Sequence, residues 1–296
     1  MKRICNNVNL FNKYFILRTS VVFAIVSGVL LFIDKKCFGI DSTKKSIWAL
    51  ISIFIIVTLW AVLKVCFYKE NIVFKTNQGK VSLRYGDLLK IAFPTSSIFK
   101  KSDKKIVVVS VNTSFDTIVD EDIAVVKNPL VSTKTIHGRW IKRMNEYGIS
   151  EEELNQAIHD NLEKQGIVPI KRLNREDKER GNLDCYEKVT IAVYRHNDTF
   201  FYLLALSEFD EKNNAQNTKA ELMETIEKLI RYYDNNGQGY DIFIPLLGTG
   251  KSRTDISSEE ALQIITSYFK IHKDKVQSDV NVIVYKKQRD SVSLDV

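Results

Sequence analysis

Two long apolar stretches near the N-terminus constrain this chain most. Tyr14 to Ile33 is a 20-residue window with 15 apolar residues and a single charge, Arg18, near one end. Ile47 to Tyr68 is a 22-residue window with 19 apolar residues, and its one charge, Lys64, again lies near an end. A helix of about 20 residues spans the hydrocarbon of a bilayer, about 30 Å thick. Core helices seldom run that far with apolar side chains on every face. A signal peptide fits the first window poorly: no small-x-small cleavage site follows Ile33, and a second window comes at once. The link from Asp34 to Ser46 is short, so the windows read as a hairpin with both chain ends on one side. Tyr14, Trp48, Trp60 and Tyr68 lie toward the window ends, as interfacial aromatics do.

Charge follows the same division. Residues 1–68 hold nine Lys and Arg against two Asp, which is the whole formal surplus of +7. The remaining residues hold 34 basic and 34 acidic side chains. A phosphate-neutralising domain carries a basic excess of its own, so nucleic acid is excluded as the expected partner. Four cysteines, at 5, 37, 66 and 185, make no disulfide framework. The expected organisation is a transmembrane hairpin over 1–68, with spans at about 14–33 and 47–68. A cytoplasmic domain follows over 69–296.

That second domain reads as α/β. Strands are expected at 72–75 and 80–83 around Asn77-Gln78-Gly79, at 105–111 (KIVVVSV), 189–194, 200–206, 240–247 and 280–285 (VNVIVY). Helices lie between them. Ser150 with Glu153, Thr218 with Glu221 and Ser257 with Glu260 each spell a capping box ahead of a 3.6-residue apolar stripe. Alternating strands and helices imply a largely parallel sheet covered on both faces, with ligands beyond the carboxyl ends of its strands. Arg172 to Arg180 (RLNREDKER) reads as a solvated loop.

Four segments can carry chemistry. Pro245-Leu-Leu-Gly-Thr-Gly-Lys-Ser-Arg253 joins an apolar strand to the helix capped at Ser257. Gly248 and Gly250 let backbone N–H groups approach an anion, the helix start adds partial positive charge, and Lys251 and Arg253 add full charges; diphosphate is the natural guest. The bland alternative is a tight turn with exposed bases. The segment nearly spells a P-loop, but Pro245 stands where its first glycine belongs and no Walker-B acid follows, so NTPase activity is rejected. Gly86-Asp87 places a carboxylate that can accept from an exocyclic amine such as adenine's, or is a plain turn. In VNTSFDT (111–117), Asn112 can fix a ribose hydroxyl and Phe115 offers a stacking face; the alternatives are a turn-forming Asn and a core Phe. In STKTIHGRW (132–140), His137 and Gly138 stand where a loop enters a helix, and His137 has no evident catalytic partner. No metal-ligating cluster stands out.

The order of these segments resembles the macro domain, a three-layer α/β/α fold with a mixed, largely parallel sheet that binds ADP-ribose. VNTSFDT and STKTIHG resemble its divergent members. With the hairpin, nearly the whole chain resembles the membrane-bound macro-domain effectors of type II Thoeris antiphage defence. The resemblance implies Asp87 on the adenine amine, Asn112 near the ribose, and Gly248, Thr249 and Gly250 cradling the diphosphate. It places Phe115, Asp116, Lys251 and Arg253 at the same site. His137 and Gly138 occupy the loop that is glycine-rich in ordinary macro domains. Neither an N-A-A-N run nor a triple glycine is present here, so binding is favoured over hydrolysis and no catalytic residue or cofactor is expected. The family's logic implies an ADP-ribose-derived signal, such as histidine-ADP-ribose, made by a TIR-domain partner that consumes NAD. The effector then forms a homo-oligomer and disrupts membrane lipid. The expected location is the bacterial inner membrane, multi-pass, and the rival reading is a membrane-tethered ADP-ribosyl hydrolase.

Overall fold

The structure, a computed structural model, describes residues 7–32, 43–94, 103–121, 126, 130–207, 218–248 and 256–295. The chain divides into two units. One comprises Met1–Glu70 with Lys287–Val296, the other Asn71–Lys286.

In the first unit the apolar windows form helices α1 (Val8–Phe32) and α2 (Thr43–Phe67), 25 residues each. Both are long and apolar enough to cross a membrane, over Leu10–Gly28 and Ile47–Phe67. They are not core helices: only 6% and 17% of those windows are buried, and Phe23 and Ile56 are exposed. Three of their hydroxyls are satisfied within the helix. Thr19, Ser52 and Thr58 donate to the carbonyls of Phe15, Trp48 and Phe54 at 2.7–2.9 Å, the pairing that an apolar surrounding requires of a polar side chain. The last residues of the chain join this unit, which the sequence did not foretell. Arg289 Nη2 donates to the Cys66 and Tyr68 carbonyls at 2.6 and 2.7 Å, filling acceptors that the end of α2 leaves open. Ser293 Oγ donates to Asn7 Oδ1 at 2.7 Å, and Val292 and Leu294 are buried. The tail therefore ties the start of α1 to the end of α2.

The second unit is built on a seven-stranded sheet, in the order β1 (Glu70–Lys75), β2 (Lys80–Gly86), β11 (Val280–Tyr285), β10 (Asp241–Pro245), β3 (Lys105–Asn112), β9 (Thr199–Ser207), β8 (Ile191–His196). From β2 to β9 every neighbouring pair is parallel; β8 pairs antiparallel to β9. Strand β8 starts two residues later than the apolar run suggested, because Val189 holds a left-handed φ of 70° that no strand continues. Four short strands lie outside this sheet in two pairs, β4 (Val119–Asp120) with β5 (Val131–Ser132) and β6 (Lys171–Arg172) with β7 (Asp184–Cys185).

Alternation along β3 sends Val107, Val109 and Val111 into a core shared with α3 (Leu88–Ala92), α4 (Ile136–Glu146) and α5 (Glu151–Lys164). Its members include Leu88, Trp140, Ile141 and Ile158. The other face is covered by α6 (Lys219–Asn236) and α7 (Ser258–Ile271), where Tyr202 of β9 packs edge-on to Tyr232 and bonds the Asn236 carbonyl. The result is the expected α/β/α sandwich. Full capping boxes start α5 at Ser150 and α6 at Thr218, and Ser257 Oγ caps α7 through Glu260 N.

Arg289→Ala should loosen the hairpin's base alone. Amide exchange at residues 61–68 should quicken while that of 106–111, in the central strand, stays slow.

Candidate functional site

Parallel pairing sets where the site lies. Strands β2, β11, β10, β3 and β9 all run the same way, so their carboxyl ends share one edge of the sheet. The chain leaves β3 for β9 on one side and β10 for β11 on the other. Strand order therefore reverses between β3 and β10, the crevice where such sheets take ligands. Gly86-Asp87, Tyr285, Leu247-Gly248 and Asn112 all stand at or just past these ends.

Asp87 caps α3. Its Oδ1 accepts from Leu89 N at 3.2 Å, and Arg139 Nη2 donates to both carboxylate oxygens at 3.2 Å. The Arg139 guanidinium also lies over the Tyr285 ring, 5.5 Å from its centre. Arg139, on α4, was not singled out from the sequence, although it directly follows His137-Gly138. At the end of β10, Gly248 has φ 79°, and a Cβ there would stand 3.2 Å from Leu222 Cδ2. A left-handed residue thus opens the loop after the strand. Thr249, Gly250, Lys251 and Arg253 lie outside the described residues.

The end of β3 is closed by its own side chains. Asn112 Nδ2 donates to Asp116 Oδ2 at 2.9 Å, and Asp116 N donates back to Asn112 Oδ1 at 3.0 Å. Asp116 is 1% exposed and also accepts from Lys178 Nζ and Asn182 N, both at 2.7 Å. Asn182 Nδ2 in turn bonds the Ser114 and Phe115 carbonyls, which holds Phe115 at φ 51°. The Phe115 ring is buried edge-on to Tyr186, so it belongs to the core and presents no stacking face. Arg180 binds both oxygens of Asp120 at 2.9 and 3.0 Å. Burial raises the Asp120 carboxyl, but the bonds from Arg180 and Leu130 N, with the Arg180 charge, outweigh it and hold the group below the usual range. RLNREDKER is therefore not simply a solvated loop: Lys178 turns inward onto Asp116 just past β3, and Arg180 pairs with Asp120 of β4. The partners lie some 60 residues away in sequence, which is why local charge density concealed them.

His137 and Gly138 form the first turn of α4 rather than the loop ahead of it. The Gly138 N–H goes to the Thr135 cap, and a Cβ there would meet the Ser132 carbonyl oxygen at 2.3 Å. The His137 ring is buried against Trp140, and burial pushes its imidazole down to about 3, so it is neutral at physiological pH. Among the described residues no group of His, Cys, Asp and Glu is arranged to hold a metal ion.

The family model for the macro domain of Thoeris protein ThsA matches residues 81–285, from β2 through β11. The chain belongs to the ThsA macro-domain family. It is 26% identical over 231 residues to Thoeris protein ThsA of Bacillus amyloliquefaciens (strain Y2), covering 76% of this chain and 69% of that protein. An Oceanobacillus iheyensis macrodomain with ADP aligns at 12% identity and TM-score 0.43, covering 76% of this chain and 93% of its own. A Trypanosoma brucei macrodomain in complex with ADP-ribose aligns at 8% and 0.39, covering 71% and 65%. The ThsA-family match begins just before Asp87 and ends on Tyr285, so it contains the whole strand-end edge described above.

Two outcomes follow for denaturation of the purified chain. Asp116→Ala should cost about 3 kcal/mol, the scale for stranding one partner of a buried ion pair. His137 is protonated in the unfolded chain below its ordinary 6.5 but not in the folded one until about 3. Stability should therefore fall as pH drops through that window, by roughly 1.4 kcal/mol per unit for this group, and His137→Gln should flatten the slope between about pH 6 and 5.

Proposed function

We propose that the chain is a membrane-anchored sensor whose macro domain binds an ADP-ribose-derived signal at the crevice between β3 and β10. The carrying observation is the family match laid over that edge: a carboxylate after β2 and a left-handed glycine after β10 stand where a parallel sheet presents its ligand. In this reading Asp87 takes the adenine amine, exchanging its bonds with Arg139 for one to the base. Gly248, Thr249 and Gly250 take the diphosphate, with Lys251 and Arg253 beside them. Asn112, Asp116, His137 and Gly138 shape the ribose end. The signal is made by a TIR-domain partner that consumes NAD. Signal binding then favours a homo-oligomer whose hairpins, embedded in the bacterial inner membrane with the macro domain in the cytoplasm, disrupt the bilayer and arrest phage infection. A ligand drives assembly only as far as its affinity for the assembled state exceeds that for the free one.

Binding is favoured over hydrolysis by the bonding of the two candidate bases. Asp116 accepts on both oxygens from Asn112, Lys178 and Asn182, and His137 is buried, which leaves neither poised to activate water.

Calorimetry on the detergent-solubilised chain tests this reading. ADP-ribose or its histidine adduct should bind, and Asp87→Ala and Gly250→Val should each weaken binding by roughly tenfold or more, the scale of a lost bond to a charged group. No binding of either compound at high micromolar concentration overturns it. Turnover of the ligand, lost in Asp116→Ala, replaces the sensor with a hydrolase.

A further inference from the structure

Outside the macro domain, the hairpin carries two charges within its apolar windows, and the fold brings them to one place. The Arg18 guanidinium of α1 lies 4.4 Å from the centre of the Trp60 ring on α2. Lys64 Nζ, one turn further along α2, lies 5.4 Å from the same centre. The two cations are thus no farther apart than those two distances together, though they repel. Both are exposed, and Trp60 is half-buried with Tyr14 edge-on to it. The ring's negative face offsets part of the repulsion but supplies no full charge.

No carboxylate among the described residues pairs with either cation. Neither α1 nor α2 contains Asp or Glu. The two acids of residues 1–68, Asp34 and Asp41, fall in the sequence between the helices, far along both from Arg18 and Lys64. A pair of like charges on lipid-facing helices is expensive without a counter-ion; Arg18 leans toward the end of the hairpin that carries Asn7 and Tyr68, and Lys64, which folds back one turn over Trp60, is rooted within a turn of that end. That end is where phospholipid phosphates stand if the helices span a bilayer.

We infer that Arg18, Lys64 and Trp60 form a binding site for a phosphate group, supplied by the headgroup of an anionic phospholipid. Arg18 offers a planar fork of donors, Lys64 a point charge, and Trp60 the wall that sets their spacing. This rests on the membrane reading of the hairpin and on nothing at the nucleotide crevice. The site gives the hairpin a preferred depth and a lipid preference, which a generic apolar helix pair lacks.

The full-length chain, prepared in nanodiscs and released for native mass spectrometry, tests the site. Alkaline extraction of membranes first establishes integration; a chain that washes off overturns the membrane reading itself. For an integrated chain, phosphatidylglycerol should be retained in preference to phosphatidylcholine, and Arg18→Gln and Lys64→Gln should each cut that retention roughly fivefold, the effect of one basic residue near an anionic surface. Trp60→Phe, which keeps a ring, should cut it less. Equal retention of both lipids, or unchanged retention in the double variant, overturns the site. Displacement of the retained lipid by inorganic phosphate at millimolar concentration overturns the lipid as its source.

Discussion

The parallel register of β3 against β10 is the constraint on which the rest depends. Ile106 opposite Ile242 and Val107 opposite Phe243 fix two strands that are some 130 residues apart in sequence. They run side by side in the same direction, and because the chain leaves β3 toward β9 and β10 toward β11, the strand order reverses between their ends, where such sheets take ligands. The proposed ligand groups lie along the strand-end edge that contains this reversal. The glycine of φ 79° follows β10, Asn112 ends β3, and Asp87 follows β2, two strands away on the same edge. A register slip of one residue would turn Val107, Val109 and Val111 away from Trp140 and Ile158, so core packing and site geometry are fixed together.

The two halves of the crevice are held by different physics. On the β3 side, a buried carboxylate organises a polar cluster: Asp116 draws Lys178 and Asn182 onto the strand end, and Gly181 sits so close that a Cβ would stand 2.2 Å from Asp116 Oδ1. Each of these groups is satisfied within the protein, which makes this side rigid and leaves its polar atoms committed. On the β10 side the backbone turns through a left-handed glycine. Recognition by backbone N–H groups suits an anion with several oxygens, whereas a committed Asn–Asp pair suits a wall. The asymmetry supports the proposed reading, in which backbone donors take the diphosphate and shape holds the rest of the ligand.

Much of this was legible in the sequence. VNVIVY became β11 at its expected bounds, the boxes at Ser150 and Thr218 start helices, and the two apolar windows are helices of 25 residues. Those signals are local: periodicity, a cap three residues from its partner, an uninterrupted apolar run. Asn112 and Gly248 could be placed at strand ends for the same reason, whereas Asp87 stands directly after β2 because that strand runs on to Gly86. What could not be read was which partner each side chain would find. Arg139 reaches Asp87 across 52 residues and Lys178 reaches Asp116 across 62, and neither spacing leaves a mark on the sequence. The tail escaped notice likewise, because Arg289 meets α2 across more than 220 residues. Long-range polar pairing is decided by topology, and topology appears only when the strands are assembled.

The charge pattern gains meaning from the division into two units. The surplus of positive charge belongs to residues 1–68, and the rest of the chain is balanced. A basic macro domain would attract phosphates of every kind; a balanced one leaves selectivity to the crevice. A basic hairpin base is instead suited to an anionic surface, where each Lys or Arg adds to retention and none is needed for fold. The tail then becomes the one covalent route other than residue 70 between these differently charged parts. It runs from the end of β11, in the sheet that carries the crevice, to Arg289 and Leu294 at the hairpin base. The hairpin is thus attached to the macro-domain sheet through both β1 and β11.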